Sequence, residues 1–142
     1  MASIDIEGML SCYDNDILFE DPAFGKLQGD RAKNMWRMLL SNNKAKIKVN
    51  FSDVEATEKS GSANWIAEYN FNQTGRDVHN VISATFEFRN NKIIKHTNHF
   101  NLHMWSKQAL GFSGYLIGWT PFFKKKLQKI TNEKLSRFIQ KL

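Results

Sequence analysis

The chain is 142 residues long, 42% hydrophobic and 13% aromatic, which is enough apolar material for one folded domain and too much for a disordered segment. Its single cysteine, Cys12, excludes a disulfide framework and fits a reducing compartment, and no apolar run reaches the roughly 18 residues of a membrane-spanning helix. The net charge of +6 is confined to residues 122–142, where seven Lys or Arg stand against one Glu; the rest of the chain is neutral, and a nucleic-acid partner is not expected. The N-terminal MASIDIEGML has two acids and no basic residue, which makes a poor secretory leader, so a cytoplasmic location is the expectation.

Residues 4–13 read as a short helix with Ile6, Met9, Leu10 and Tyr13 on one side. Ile17-Leu18-Phe19 is strand-like and runs into Glu20-Asp21-Pro22, where the proline keeps Asp21 out of the helical region and places the acid at a strand end or turn. Gly25 and Gly29 bracket a loop. A helix is predicted from Asp30, a good N-cap, to about Leu40, because Ala32, Met35, Trp36 and Leu39 follow the i, i+3, i+4, i+7 spacing of one buried stripe. Ser41-Asn42-Asn43 ends it.

Residues 45–58 alternate Ile47, Val49 and Phe51 against Lys46, Lys48 and Asn50, the pattern of a half-buried strand. Residues 59–62 form a turn, and 63–73 a further strand with Trp65, Ala67, Tyr69 and Phe71 on one face. After a turn at Gln73–Arg76 comes the stretch His79–Trp105, two alternating runs about Arg89-Asn90-Asn91-Lys92, which predicts an antiparallel hairpin. Period two puts Asn80, Ile82, Ala84, Phe86 and Phe88 on one face of the first run, and Ile94, His96, Asn98, Phe100, Leu102 and Met104 on one face of the second. That face is apolar yet carries a histidine and two asparagines. It is either a core with satisfied polar groups or the wall of a pocket. Successive antiparallel strands make a meander that bends around whatever its concave side covers.

Residues 108–123 hold no charge, three glycines and five aromatics. A basic amphipathic helix follows, with Leu127, Thr131, Leu135, Phe138 and Leu142 as its stripe. The uncharged segment has two readings. Ahead of Lys124-Lys125-Lys126 it could rest on an anionic membrane surface. Alternatively it caps a cavity mouth or extends a dimer interface while the tail helix packs along the domain. The second is preferred, because the tail's stripe needs a surface and the domain supplies one.

The motif Glu20-Asp21-Pro22-Ala23-Phe24-Gly25, shortly after Tyr13-Asp14-Asn15-Asp16 and followed by a helix and a four-strand meander, resembles the nuclear transport factor 2-like superfamily. The segment His96–Gly111, with Gly118-Trp119-Thr120-Pro121, is similar to its SnoaL-like branch, related to the ketosteroid isomerases. The resemblance implies one α+β domain over residues 1–142: a curved, mostly antiparallel mixed sheet wrapped by helices into a cystatin-like cone with an internal pocket. It also implies homodimers formed through the outer sheet face, and a small hydrophobic or polycyclic molecule as ligand. Any activity would be acid–base chemistry of the isomerase, cyclase or hydrolase type. The alternative is a non-catalytic ligand-binding or dimerisation module.

Through the same resemblance Asp21 matches the isomerase base, a carboxylate that shuttles a proton α to a carbonyl. Read as structure, it is instead an Asp-Pro turn whose carboxylate bonds nearby amides. The isomerase's second acid corresponds to Ala84, which donates nothing. The family's donor tyrosine lies on an N-terminal helix that this chain largely lacks, and Tyr13 stands too close to Asp21 to replace it. Members of the branch carry aspartates where this chain has Asn98 and Asn101. His96 faces the same way as Asn98 and could act as the base near neutral pH, or the two form a buried polar pair. Trp36, Trp65, Tyr69, Phe86, Asn98 and Phe100 are the candidate ligand-lining residues. His99 and His103 are expected on the outer face, spaced like metal ligands but without a third, so no metal and no cofactor is expected. His79 should also face out. Cys12, with no activating neighbour, is expected to be a small buried residue.

Overall fold

A computed structural model describes residues 5–43 and 47–142; of the elements expected above, residues 4, 45 and 46 fall outside it. The elements in order are α1 (Ile6–Leu10), β1 (Tyr13–Asp21), β2 (Gly25–Gln28), α2 (Asp30–Asn43), β3 (Lys48–Ala56), β4 (Ser60–Phe71), β5 (Arg76–Arg89), β6 (Lys92–His99), α3 (Leu102–Leu110), α4 (Phe112–Ile117) and α5 (Pro121–Gln140). The strands form one six-stranded sheet in the order β2-β1-β6-β5-β4-β3. Every pairing is antiparallel except β1 with β6. This is the expected α+β architecture, an open curved mixed sheet with helices. α2 lies against β1 and β2, α3 against β5, and α5 against α2.

The predicted meander is present as β3 to β6. Its sharpest turn, Asn90-Asn91, has both residues in the left-handed region (φ 53° and 62°), as a two-residue hairpin of matching twist requires. Asparagine tolerates that conformation better than other residues with a Cβ. The helix predicted from Asp30 starts there and runs to Asn43, burying Ala32, Met35 and Trp36 along the expected stripe.

The structure corrects several expectations. Tyr13 opens β1 and does not close a helix, since α1 ends at Leu10. The loop between Gly25 and Gly29 contains β2, whose Leu27 is buried between exposed Lys26 and Gln28; two flanking glycines concealed a four-residue strand. The second arm of the hairpin stops at His99. Asn101 caps α3 by accepting from the Met104 amide at 3.0 Å, so Leu102 and Met104 leave the sheet face and His103 leaves the outer face expected to hold it beside His99. The run Asn98–Met104 satisfies a strand's alternation, and the cap decides against it. β3 is expected to be half buried, but as the terminal strand of the sheet it is largely exposed; Phe51 is 66% exposed, with its ring stacked on Trp65 at 6.2 Å. Cys12 is exposed, not buried, and Leu142 lies beyond α5 in solvent.

Two apolar clusters hold the helices to the sheet. The larger joins Tyr13, Ile17 and Phe19 of β1 to Met35 and Trp36 of α2 and Leu135 of α5. The smaller joins Val78 of β5 to Trp105 and Ala109 of α3 and Phe123 of α5. α5 therefore contributes to both. Between those contacts it bonds to the turn after Asp21: Gln128 Nε2 donates to the Pro22 carbonyl (3.1 Å), Thr131 Oγ1 to that of Ala23 (2.8 Å) and Asn132 Nδ2 to that of Phe24 (2.9 Å). The tail helix packs along the domain as preferred from sequence.

Candidate active site on the inner sheet face

The register of the parallel pair places the site. Phe19 is level with His96 and Glu20 with Thr97, so one step further Asp21 stands beside Asn98 on the same face. On the other side of β6, Asn98 pairs with Ala84 of β5. Trp65 and Tyr69 of β4 sit opposite Ile82 and Val78 of β5, again on that face. Trp36 descends from α2, stacked over His96 at 6.1 Å and tilted toward Trp65 at 6.4 Å. Phe86 approaches His96 at 4.5 Å. Phe100 lies past the end of β6 and packs on the cluster around Trp105. The inner face thus brings together Asp21, Trp36, Trp65, Tyr69, Phe86, His96 and Asn98.

His96 is held at both ring nitrogens. Trp36 Nε1 donates to Tyr13 Oη (3.0 Å), Tyr13 Oη contacts His96 Nδ1 (2.6 Å), and His96 Nε2 contacts Asn98 Oδ1 (2.8 Å). An amide oxygen only accepts, which fixes the direction: the imidazole proton sits on Nε2 and points at Asn98 Oδ1, and the Tyr13 hydroxyl donates to the bare Nδ1. The ring is neutral in this arrangement. Burial disfavours its cation and brings its pKa down to about 4, against the small opposing pull of Asn98. Burial likewise raises the Tyr13 phenol, with the Trp36 hydrogen bond working against it. The chain runs through four side chains, occupies both nitrogens of His96 and ends at the Asn98 amide.

Asp21 differs. Its Oδ1 accepts from the amides of Ala23 (2.9 Å) and Phe24 (2.7 Å), an Asx turn that the following proline favours. Its other oxygen has no hydrogen-bond donor among the described residues. Burial lifts its pKa to about 6; the two amides pull it down, and the Glu20 charge adds slightly to the rise. Tyr69 faces the same region. Its hydroxyl accepts from Trp105 Nε1 at 2.8 Å, and its pKa rises through burial, then through the charge of Asp21, with the Trp105 bond opposing. Among the described residues no acceptor takes the Tyr69 proton, and the Asn98 side chain is bonded only through Oδ1.

Three features escaped the sequence reading. Tyr13 as partner of His96 was hidden by its assignment to a helix, although the alternation Ile17, Phe19, Asp21 continues back to it. Tyr69 was placed as lining, not as a hydrogen-bond donor. Alternation makes Trp105 the end of a strand; as a helical residue it reaches Tyr69. On the opposite face, His99 lines a shallow polar groove with Glu20, Glu87 and Lys95, while His79 lies exposed 3.8 Å from Glu68. His103 Nε2 contacts the Tyr115 carbonyl at 2.9 Å within the α3–α4 unit. No cluster of three His, Cys, Asp or Glu suited to a metal occurs among the described residues.

A curved mixed sheet with helices over one face, and an acid and aromatics turned inward, places the chain in the nuclear transport factor 2-like class of folds. Within it, the SnoaL-like domain matches residues 1–96, and the chain belongs to that family. Solved structures agree on the fold. A nuclear transport factor 2-like protein of unknown function from Cytophaga hutchinsonii has a TM-score of 0.58 at 14% identity, over 68% of this chain and 86% of its own. A candidate polyketide cyclase from Xanthomonas campestris pv. campestris has a TM-score of 0.57 at 18% identity, covering 73% and 84%. An LEH-like epoxide hydrolase from M. tuberculosis has a TM-score of 0.55 at 16% identity, covering 80% and 79%. These identities carry the fold and not the activity. No curated protein sequence matches the chain significantly.

Proposed function

We propose that the inner face binds a small hydrophobic, preferably flat and polycyclic, molecule, and that Asp21 moves a proton on it. The observation that carries this reading is the half-free carboxylate of Asp21, raised to about 6 by burial and set among apolar and aromatic walls. A base poised near operating pH combines a usable ionised fraction with real proton affinity. Trp36, Trp65 and Phe86 supply stacking surface. Tyr69 aims an O–H at charge developing on a ligand oxygen, and the Trp105 bond to its oxygen makes that proton a better donor. Asn98 Nδ2 is the second donor, oriented because His96 holds the other end of the amide. In this scheme His96 positions Asn98 and does not itself exchange protons, since both its nitrogens are engaged. The candidate cyclase and the epoxide hydrolase among the structural neighbours are compatible with such acid–base chemistry.

The non-catalytic module has one observation in its favour: where relatives place further acids, this chain has buried Ala84 and Asn98. A single experiment separates the two. With a 3-oxo steroid as probe, the catalytic reading expects a raised melting temperature and deuterium incorporation α to the carbonyl faster than in buffer. Asp21→Asn should lower that exchange by about 10²–10⁴-fold while leaving the melting shift. Ligand-induced stabilisation without exchange above the buffer rate would establish the binding module instead.

A further inference from the structure

Helix α4 is built inside out. An amphipathic helix normally turns its large apolar residues to the core. In α4 the residue facing the protein is Gly114, joined by Gly118 just after the helix, and both are buried. A Cβ on Gly114 would overlap the Ser106 carbonyl of α3, and one on Gly118 the Ser106 hydroxyl. Ser106 itself is fully buried and donates to the His103 and Gly114 carbonyls, at 2.8 and 3.2 Å. Glycine at these positions lets α4 lie directly on α3, and the consequence is that Phe112, Tyr115, Leu116 and Ile117 all point away. Trp119, 68% exposed, and Phe122, 73% exposed, extend the same surface to the start of α5. Half of the exposed large apolar side chains among the described residues fall between Met104 and Phe122. Concentration of this kind marks a contact surface, since isolated exposed apolar residues are ordinary.

Charge identifies what the surface meets. Residues 102–132 contain five lysines and no acid. Lys107 sits 5.6 Å from the Tyr115 ring, and Lys124, Lys125 and Lys126 are exposed immediately after Phe122. Aromatic and aliphatic side chains bordered by lysines match the interface of an anionic bilayer, where rings enter the headgroup level and ammonium groups meet lipid phosphates and carboxylates. A second copy of this chain would bring lysines against lysines. We propose that α4 and the start of α5 dock the protein on the surface of a negatively charged membrane. No helix among the described residues is long and apolar enough to cross one, so the contact is peripheral.

The test is flotation of the full chain with vesicles of phosphatidylcholine alone and of phosphatidylcholine with phosphatidylserine. Flotation is expected only with phosphatidylserine present, and it should weaken as salt rises. Trp119→Ser with Phe122→Ser should abolish it, and Lys124→Gln, Lys125→Gln and Lys126→Gln together should weaken it on the order of a hundredfold. Brominated lipids should quench tryptophan emission in the unmodified protein, which needs no variant to fold. The proposal is overturned by absent flotation, by equal flotation on neutral vesicles, or by a solution dimer that Trp119→Asp dissociates in place of lipid binding.

Discussion

The inner face carries two tryptophan–tyrosine pairs that look alike and behave differently. In one, Trp36 donates to Tyr13, Tyr13 engages His96, and His96 engages Asn98, so the phenol and both imidazole nitrogens are used. In the other, Trp105 donates to Tyr69 and the chain stops, leaving a phenol proton near the half-free carboxylate of Asp21. The first has the completeness of a structural network. The second keeps the hydrogen-bonding capacity a ligand needs. A histidine on a pocket wall is therefore a poor guide to reactivity when its nitrogens are both occupied; an aspartate in an ordinary turn is a better one when one oxygen is not.

Removing the same hydroxyl from each pair sharpens the contrast. Tyr69→Phe should lower carbonyl-directed exchange by about 10²–10³-fold, the usual effect of losing one donor to a developing oxyanion, and cost about 1–3 kcal/mol of stability because Trp105 Nε1 loses its acceptor. Tyr13→Phe should weigh more on stability and hardly at all on exchange. It leaves Trp36 Nε1 and His96 Nδ1 unpaired in the core, at about 1–3 kcal/mol each, visible as a lower urea midpoint, while exchange per folded molecule changes little. Equal effects of the two variants on both measurements would remove the distinction.

A smaller effect separates the pairs by pH. Asp21 has a folded pKa raised from 3.8 to about 6, so the native state holds that proton more tightly and stability falls as pH rises across that interval. His96 has a folded pKa lowered from 6.5 to about 4, so stability rises with pH between those values. The two slopes oppose each other between about pH 4 and 6. Asp21→Asn should expose the histidine's slope, giving a variant whose urea midpoint climbs more steeply with pH in that window than the parent's.

Much of this arrangement was readable from residue order. Period-two alternation put Ile82, Ala84, Phe86, His96 and Asn98 on one face, and the Asp-Pro pair put Asp21 at a strand end. What alternation alone could not supply was where a strand stops. Asn98–Met104 fits two periods at once, and only the side chain of Asn101, folded back on the Met104 amide, turns the chain into a helix. That misreading hid Trp105. The parallel pairing of β1 with β6 joins residues 77 to 80 positions apart, and no local pattern announces which strand Asp21 will lie beside. The glycines of α4 were visible as composition, but their use as a packing surface depends on Ser106 of another helix.

The bonds from α5 to the turn after Asp21 have a consequence for the acid itself. The peptide group between Pro22 and Ala23 accepts from Gln128 at its oxygen and donates to Asp21 at its nitrogen, and the next peptide does the same between Thr131 and Asp21. A hydrogen bond at one end of a peptide draws electron density along it and strengthens the donor at the other. Two peptide units thus relay the polarity of a helix to a carboxylate that the helix never touches. Thr131→Val would weaken one relay, and the Asp21 pKa, followed by carboxyl NMR, should move upward. That helix lies wholly outside residues 1–96, the stretch that matches the SnoaL-like domain, so this contribution to the acid's proton affinity comes from beyond the matched stretch.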